Sequence, residues 1–143
     1  MGADQPLLLD THVWIWLMEG VITELSTSAI TKLRAASRTG RLMVSAISVW
    51  ELAMLDAKRR ITLSMDCSTW VERALAAPGI ELVAISPTIA IQSTRLPRNL
   101  SGDPADGMLV ATARAHGARL VTRDRRLIDY ATGGHLAVLD ATP

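Results

Sequence analysis

Short apolar runs alternate with longer amphipathic stretches along nearly the whole chain. Short bounded runs predict strands, and apolar positions that recur every three or four residues predict helices. The predicted strands span residues 6–9, 42–44, 80–85, 120–121 and 137–139. The predicted helices span residues 11–18, 26–37, 48–58, 65–76, 87–95 and 103–115, with a helical turn over 125–130. Strands separated by helices indicate an α/β fold with a mainly parallel sheet covered on both faces.

The 143 residues contain no internal repeat, low-complexity stretch or linker that would divide them, so we predict one domain over residues 1–143. The apolar runs stay short of the roughly 18–20 residues that a membrane-spanning helix needs. The first residues lack the basic segment of a signal peptide. A single cysteine, Cys67, suits a reducing compartment. We therefore expect a cytoplasmic protein that does not associate with a membrane.

Four acidic residues share one local context, because each comes where an apolar, strand-like run gives way to the start of a helix. Asp10 closes LLLD, Glu51 follows MVSAISVW, Asp106 lies in SGDPADGMLVATA and Asp124 closes RLVTRD. The carboxyl ends of parallel strands share one edge of a sheet, and ligands bind in the crevice there. If the strands pair in parallel, the four carboxylates converge, and such a cluster needs a cation to stay ionised. The pattern therefore predicts a metal site.

The same acids also fit structural roles at helix starts. Residues 48–51 (SVWE) fit a capping box, in which Glu at the third helical position bonds back to the cap. Asp10 and Asp124 could each cap the helix that follows. For any one acid alone capping is the more common role, but the joint pattern favours a shared site. Helix N-termini favour the ionised acid by about 0.3–1 kcal/mol each, so we expect an anionic cluster at neutral pH.

Two acids compete for one role in the segment DPAD. Asp103 stands at the cap position, in front of a proline at the first helical position. Asp106 lies one turn inside the helix, from where it can project into the crevice. We interpret Asp103 as the helix cap and Asp106 as the ligand.

The donor types indicate which ion such a cluster binds. A lone cysteine cannot form a thiolate cluster, and His12, His116 and His135 lack the spacing of a zinc site or a catalytic triad. Carboxylates without these partners suit hard cations, Mg²⁺ or Mn²⁺. Magnesium held by carboxylates in turn suits phosphoryl chemistry, in which the ion activates water and neutralises charge on phosphate oxygens.

Three sequence blocks around these acids resemble the signature blocks of PIN-domain nucleases. They are LLLDTHVWIWL, SAISVWELAMLDAKRRITL and DPADGMLVATARAHGARLVTRD. The DTHVW opening together with the later SVWEL is similar to the VapC-type toxins of bacterial type II toxin–antitoxin systems. The blocks stand in the family's order, and the resemblance covers residues 6 to about 140.

The resemblance implies a three-layer α/β/α PIN-like domain with a central, mainly parallel sheet. It implies a Mg²⁺- or Mn²⁺-dependent endoribonuclease that cleaves RNA by metal-activated water. Asp10 and Asp106 would be the direct metal ligands, and Glu51 and Asp124 would act through water, so that all four acids are catalytic. The hydroxyls of two residues next to the cluster, Thr11 and Thr122, would orient the carboxylates.

The resemblance also implies partners. VapC-type toxins form homodimers and are inhibited by a cognate antitoxin in a toxin–antitoxin hetero-oligomer. Three tryptophans flank the predicted active edge, and either the core or a partner interface could contain each of them. Trp14 and Trp50 would suit the core if Trp16 faces a partner helix.

One departure from the family pattern concerns phosphate binding. Gly107 stands where relatives often carry a basic residue, which puts a phosphate contact from this position in doubt. Arg123, Arg125 and Arg126 lie at the same rim and could supply that contact instead.

Two other functions compete with the nuclease. One is a non-toxin Mg²⁺-dependent phosphoryl-transfer enzyme. A phosphatase of the haloacid dehalogenase type needs a second Asp two residues after its nucleophile, whereas this chain has His12 two residues after Asp10. The other is a catalytically inactive PIN-like module that binds RNA or a partner, which the presence of all four acids disfavours. A Rossmann domain would need a glycine-rich turn after the first strand, and DTHVW has none.

Overall fold

The sheet contains five strands in the order β3-β2-β1-β4-β5, and each neighbouring pair runs parallel. The computed structural model describes residues 5–98, 100 and 102–143. The strands are β1 (Leu7–Leu9), β2 (Leu42–Ser45), β3 (Ile80–Val83), β4 (Arg119–Thr122) and β5 (Val138–Asp140). The predicted, mainly parallel sheet is confirmed.

Helices cover both faces of this sheet and complete three layers. They are α1 (Thr11–Glu19), α2 (Thr27–Arg38), α3 (Ala46–Ala57), α4 (Cys67–Leu75), α5 (Pro87–Gln92), α6 (Pro104–His116) and α7 (Arg125–Ala131), with a 3₁₀ turn over Ile22–Glu24. The α/β/α architecture implied by the family resemblance is therefore confirmed. Within the described ranges, no helix combines the length and the apolar character needed to cross a bilayer.

Alternate residues of the central strand supply two separate cores. Leu7 and Leu9 of β1 pack in one cluster with buried residues of α1, α2 and α4. Leu8 lies on the other face, in a cluster with buried residues of α6 and α7. Successive side chains of a strand point to opposite faces. A strand buried on both faces reads as a continuous apolar run, which explains the uninterrupted leucines of β1.

The start of α3 differs from its prediction. The cap is Ser45, whose hydroxyl accepts a hydrogen bond from the backbone N–H of Ile47 at 3.1 Å. The capping box over residues 48–51 is therefore wrong, because the helix begins at Ala46 and Ser48 is buried inside it. Glu51 consequently lies in the second turn of α3 and not at a helix start. The β2 strand continues one residue beyond its predicted end, so the change to helix falls directly at Ser45.

The three predicted aspartate caps are present. Asp10 accepts from the N–H of Thr11 at 2.8 Å. The Asp103 carboxylate accepts a bond from the Ala105 N–H at 2.9 Å, and the Asp124 carboxylate accepts one at 2.9 Å from the first turn of α7. Capping therefore fixes the position of three carboxylates at the helix starts.

Gly40 precedes β2 and Gly79 precedes β3; both have positive φ, but the space around them differs. Gly79 (φ +84°) has no room for a side chain, because a Cβ there would lie 2.0 Å from the carbonyl oxygen of Ser37. Gly40 (φ +67°) has no atom within 4 Å of the corresponding Cβ position. The carbonyl oxygen of Gly79 also accepts a hydrogen bond from the backbone N–H of Leu42 at 3.1 Å, which joins the start of β2 to the residue before β3.

We expect Gly40→Ala to lower the free energy of unfolding by about 1 kcal/mol, the usual cost of an alanine in the left-handed region. Gly79→Ala should lower it by about 1–3 kcal/mol more, because its Cβ overlaps backbone that cannot move independently. Urea denaturation of both variants and the wild type checks this. Equal losses at the two positions would show that α2 yields to the added methyl group.

Candidate functional site

The four acids that the sequence singles out line a single cavity of about 390 Å³. It lies at the carboxyl ends of β1 and β4, where the strand order runs to β2 on one side and to β5 on the other. Such a switch point opens a crevice beside the sheet. The residues that line the cavity are Asp10, His12, Trp16, Glu51, Asp103, Asp106, Arg123, Asp124 and Arg126. The predicted convergence is therefore present, although its catalytic role stays a prediction.

A hydroxyl from the neighbouring strand fixes the carboxylate of Asp10. Thr122, the last residue of β4, donates to Asp10 Oδ2 at 2.6 Å, and its Oγ1 accepts from the N–H of Asp124 at 3.0 Å. Burial raises the pKa of Asp10, and the bonds from Thr122 and the Thr11 N–H, with the charge of His12, oppose that rise. The two central strands are thus joined at their carboxyl ends through the site itself.

Glu51 reaches the same cavity from α3 and is held by α1. The buried hydroxyl of Thr11 donates to Glu51 Oε1 and lies 2.9 Å from Ser48 Oγ. A hydroxyl has one hydrogen to give, so Ser48 can donate to Thr11 while Thr11 donates to the carboxylate. Burial is the main cause that raises the pKa of Glu51, and the charges of Asp10, Asp103 and Asp106 add to it. The predicted positions of the Thr11 and Thr122 hydroxyls are confirmed, whereas the contribution of Ser48 was missed.

Asp106 and Asp124 share one cation. Arg126 Nη2 lies 2.7 Å from Asp106 Oδ2 and 3.1 Å from Asp124 Oδ2. Burial raises the pKa of Asp106, and the guanidinium of Arg126 opposes this. The two carboxylates in turn raise the pKa of Arg126. Sequence reasoning placed Arg126 at this rim as a phosphate contact, but it missed the bridge between the two acids.

Two opposing effects act on the charge of the acids in the cavity. The helix N-termini favour ionised acids, but burial shifts the pKa of Asp10, Glu51 and Asp106 in the opposite direction. Mutual repulsion among the acids adds to that upward shift. The anionic form of the cluster therefore depends on positive charge inside the cavity.

The donor set fits a hard divalent cation. All four acids offer oxygen atoms, and no thiol lines the cavity. In the described part of the chain, no group of three His, Cys, Asp or Glu residues already stands close enough to hold one ion. The guanidinium of Arg126 stands between Asp106 and Asp124 as a substitute positive charge. Coordination of an ion would thus require side-chain movement on an otherwise suitable donor set.

An aromatic and basic rim borders the acids. His12 and Trp16, one turn apart on α1, have ring centroids 5.7 Å apart. Arg123 lies 5.2 Å over the Trp16 ring and pairs with Glu24 at 2.5 Å. This rim joins flat aromatic surface to positive charge at the mouth of the cavity.

The placement of the tryptophans in the core or at the surface differs in part from the expected one. Trp14 is fully buried against Trp70, with ring centroids 5.1 Å apart, as the core assignment expected. Trp50 is 56% exposed, so its assignment to the core is wrong. The reason is that α3 turns Leu52 and Leu55 toward the interior, and Trp50 lies on the outer side of the helix.

Gly107 is a packing position in this chain. A Cβ at this residue would lie 3.1 Å from the carbonyl oxygen of Ser93, at the end of α5. A long basic side chain here would require α5 and α6 to separate. Close packing of α6 against the end of α5 therefore favours a glycine at this position.

The sequence of this chain matches both a family profile and a known protein. The PIN domain profile matches residues 7–133. Ribonuclease VapC22 of Mycobacterium tuberculosis (strain ATCC 25618 / H37Rv) is 38% identical over 121 residues, which cover 85% of this chain and 88% of that protein.

Solved structures share the fold at lower identity. VapBC2 from Rickettsia felis, bound to a DNA fragment from its promoter, superposes with a TM-score of 0.69 and 15% identity over 96% of this chain and 99% of that chain. A toxin–antitoxin complex from Klebsiella pneumoniae gives a TM-score of 0.59 and 24% identity over 93% and 95%. On the strength of the profile match and the relative at 38% identity, the chain belongs to the PIN domain family and is related to its VapC proteins.

Proposed function

We propose that this chain is a divalent-metal-dependent endoribonuclease and the toxin of a toxin–antitoxin pair. One observation carries the proposal: four acids from separate segments line one cavity at the switch point of the sheet. The similarity to a protein named Ribonuclease VapC22 supports RNA as the substrate. The bond to be broken is a phosphodiester, with water as the nucleophile.

In this proposal Asp10 and Asp106 hold Mg²⁺ or Mn²⁺ directly, and Glu51 and Asp124 bind it through water. A bound divalent cation supplies an activated water and offsets negative charge on the phosphate oxygens. Thr122 keeps Asp10 oriented through its 2.6 Å bond, which leaves the remaining lone pairs of the carboxylate available.

Glu51 is the group best suited to accept a proton from the attacking water. Its pKa is raised by burial, which makes the carboxylate a stronger base than one in free solution. The bond from Thr11 holds only one of its two oxygens. The neutral hydroxyl of Thr11 opposes part of this rise in the pKa of Glu51, and burial remains the larger effect.

The rim formed by His12, Trp16 and Arg123 is the proposed contact for RNA. Unpaired bases stack on aromatic and guanidinium surfaces, and basic side chains attract the phosphate backbone. Arg123 already lies over the Trp16 ring, so the two side chains present one combined surface beside the acids.

We further propose a cognate antitoxin as the protein partner and a homodimer as the free form. The structural neighbours named above are complexes of toxin with antitoxin, which supports such a partner for a chain of the same fold. The exposed indole of Trp50 gives α3 an apolar outer surface suited to a protein contact.

The central experiment is cleavage of total RNA by antitoxin-free protein in Mg²⁺, in Mn²⁺ and in EDTA. We expect discrete cuts that need a divalent ion. Asp10→Asn and Asp106→Asn should each reduce the cleavage rate at least about 100-fold, because each removes a ligand charge with little change of shape. Retained cleavage in both variants would refute the site assignment. A folded protein that neither binds metal nor cleaves RNA would favour the alternative of a catalytically inactive PIN-like module.

A second prediction separates the cap of α6 from its ligand. Asp103→Ala should lower the free energy of unfolding by about 0.5–2 kcal/mol through loss of the bond to the Ala105 N–H, while cleavage is largely kept. Asp106→Ala is the matched variant three residues further on, and it should abolish cleavage. Loss of activity in a stably folded Asp103→Ala protein would reverse the two assignments.

A third prediction concerns pH in the absence of metal. The pKa of Asp10 is raised in the folded protein, so the folded state binds a proton more readily than the unfolded state does. The stability of the wild type should therefore rise, relative to Asp10→Asn, as the pH falls from about 7 toward about 5. Urea denaturation of both proteins in EDTA measures this difference, to which the effect of the Asp10 charge on the pKa of Glu51 and Asp106 contributes with the same sign. A difference that is constant or opposite in sign would contradict the burial of an ionisable Asp10.

A further inference from the structure

Arg126 occupies an unusual position for an arginine at a site that the proposed function assigns to a metal. Its guanidinium bridges Asp106 and Asp124, one proposed as a direct ligand and the other as a water-mediated one. The other two acids have neutral partners, since hydroxyls of Thr122 and Thr11 hold Asp10 and Glu51. Arg126 therefore places its positive charge beside Asp106 and Asp124.

The guanidinium of Arg126 lies beside Gly102 and is partly open to solvent. A Cβ at Gly102 would lie 2.3 Å from Arg126 Nη1, so the missing side chain at that residue provides room for the planar group. The Arg126 side chain is 53% exposed. The helix that carries it is anchored separately, because Leu127 and Tyr130 are buried in the core. The guanidinium can thus leave the carboxylates by rotating about its own bonds while α7 stays in place.

A divalent cation and the guanidinium of Arg126 compete for the same carboxylates, those of Asp106 and Asp124. Asp106 Oδ2 accepts the bond from Arg126 at 2.7 Å, which is the direct contact of a charge-assisted pair. Two positive groups within a few ångströms of one carboxylate repel each other strongly. Binding of an ion to Asp106 therefore favours withdrawal of Arg126.

We propose that Arg126 is a built-in counter-cation that holds Asp106 and Asp124 together in the metal-free protein and is displaced when a divalent metal binds. This inference rests on the proposed function, because it assigns regulation to the same metal site. Its consequence is a lower apparent metal affinity than the four acids alone would provide. Ion pairs made by a half-exposed arginine are weak, so the reduction should be about three- to tenfold, in proportion to the fraction of protein whose site is open.

The test is titration of metal-free protein with Mn²⁺ alone, followed by calorimetry, for the wild type, Arg126→Gln and Arg125→Gln. Arg125 is the matched control, because it is exposed and removes the same formal charge from the adjacent position of α7. Arg126→Gln should bind Mn²⁺ about three- to tenfold more tightly than the wild type, and Arg125→Gln should stay within about twofold. Unchanged or weaker binding by Arg126→Gln would overturn the inference. An equal gain in Arg125→Gln would also overturn it, by showing that only the net charge matters.

A second measurement tests the metal-free half of the inference. In EDTA, Arg126→Gln should unfold at a lower urea concentration than Arg125→Gln, because Asp106 and Asp124 lose their shared cation. A metal-free Arg126→Gln protein as stable as Arg125→Gln would contradict the counter-cation role.

Asp106→Asn distinguishes failure of this inference from failure of the proposed function. If the wild type binds Mn²⁺ and Asp106→Asn does not, the metal site stands and the arginine variants decide the inference alone. If no variant binds Mn²⁺ at any accessible concentration, both the metal-dependent function and the displacement of Arg126 are wrong.

Discussion

Crowding of four carboxylates into one cavity at the carboxyl ends of β1 and β4 is the constraint on which the rest of this structure depends. Burial raises the pKa of Asp10, Glu51 and Asp106, and the negative charge of neighbouring aspartates adds to each rise. The chain offsets this with two hydroxyls and one guanidinium, supplied by α1, β4 and α7. The architecture of the central layer follows, because these donors must stand at the ends of adjacent elements to reach the acids.

Structural and chemical roles coincide in the same side chains. Asp10 and Asp124 each cap the helix that follows them while lining the cavity, so one carboxylate serves both the fold and the site. Thr122 links them, because its hydroxyl donates to the Asp10 carboxylate across the two central strands and accepts from the backbone N–H of Asp124. A capping role is therefore no argument against a functional one, since the cap itself determines where the carboxylate points.

Local sequence signals were reliable where the deciding interaction is local. The cap of α6 at Asp103 involves residues close in sequence, and it was predicted. The signal failed at α3, where Ser45 and Ser48 both precede suitable helical residues. Only the extent of β2, which depends on pairing with its neighbours, decides between them. Trp50 was misassigned for a related reason, because the direction in which α3 faces is set by its packing on the sheet.

The sequence by itself determined the alternation of strands and helices, the parallel sheet and the four acids at one edge, because periodicity and capping are written into short segments. Only the tertiary structure decided how those acids are neutralised. Arg126 meets Asp106 across 20 residues, and Thr122 meets Asp10 across 112. Such contacts depend on the pairing of β1 with β4 and on where α6 and α7 begin relative to the sheet. No local pattern carries that information, since it arises from packing the whole chain around one crevice.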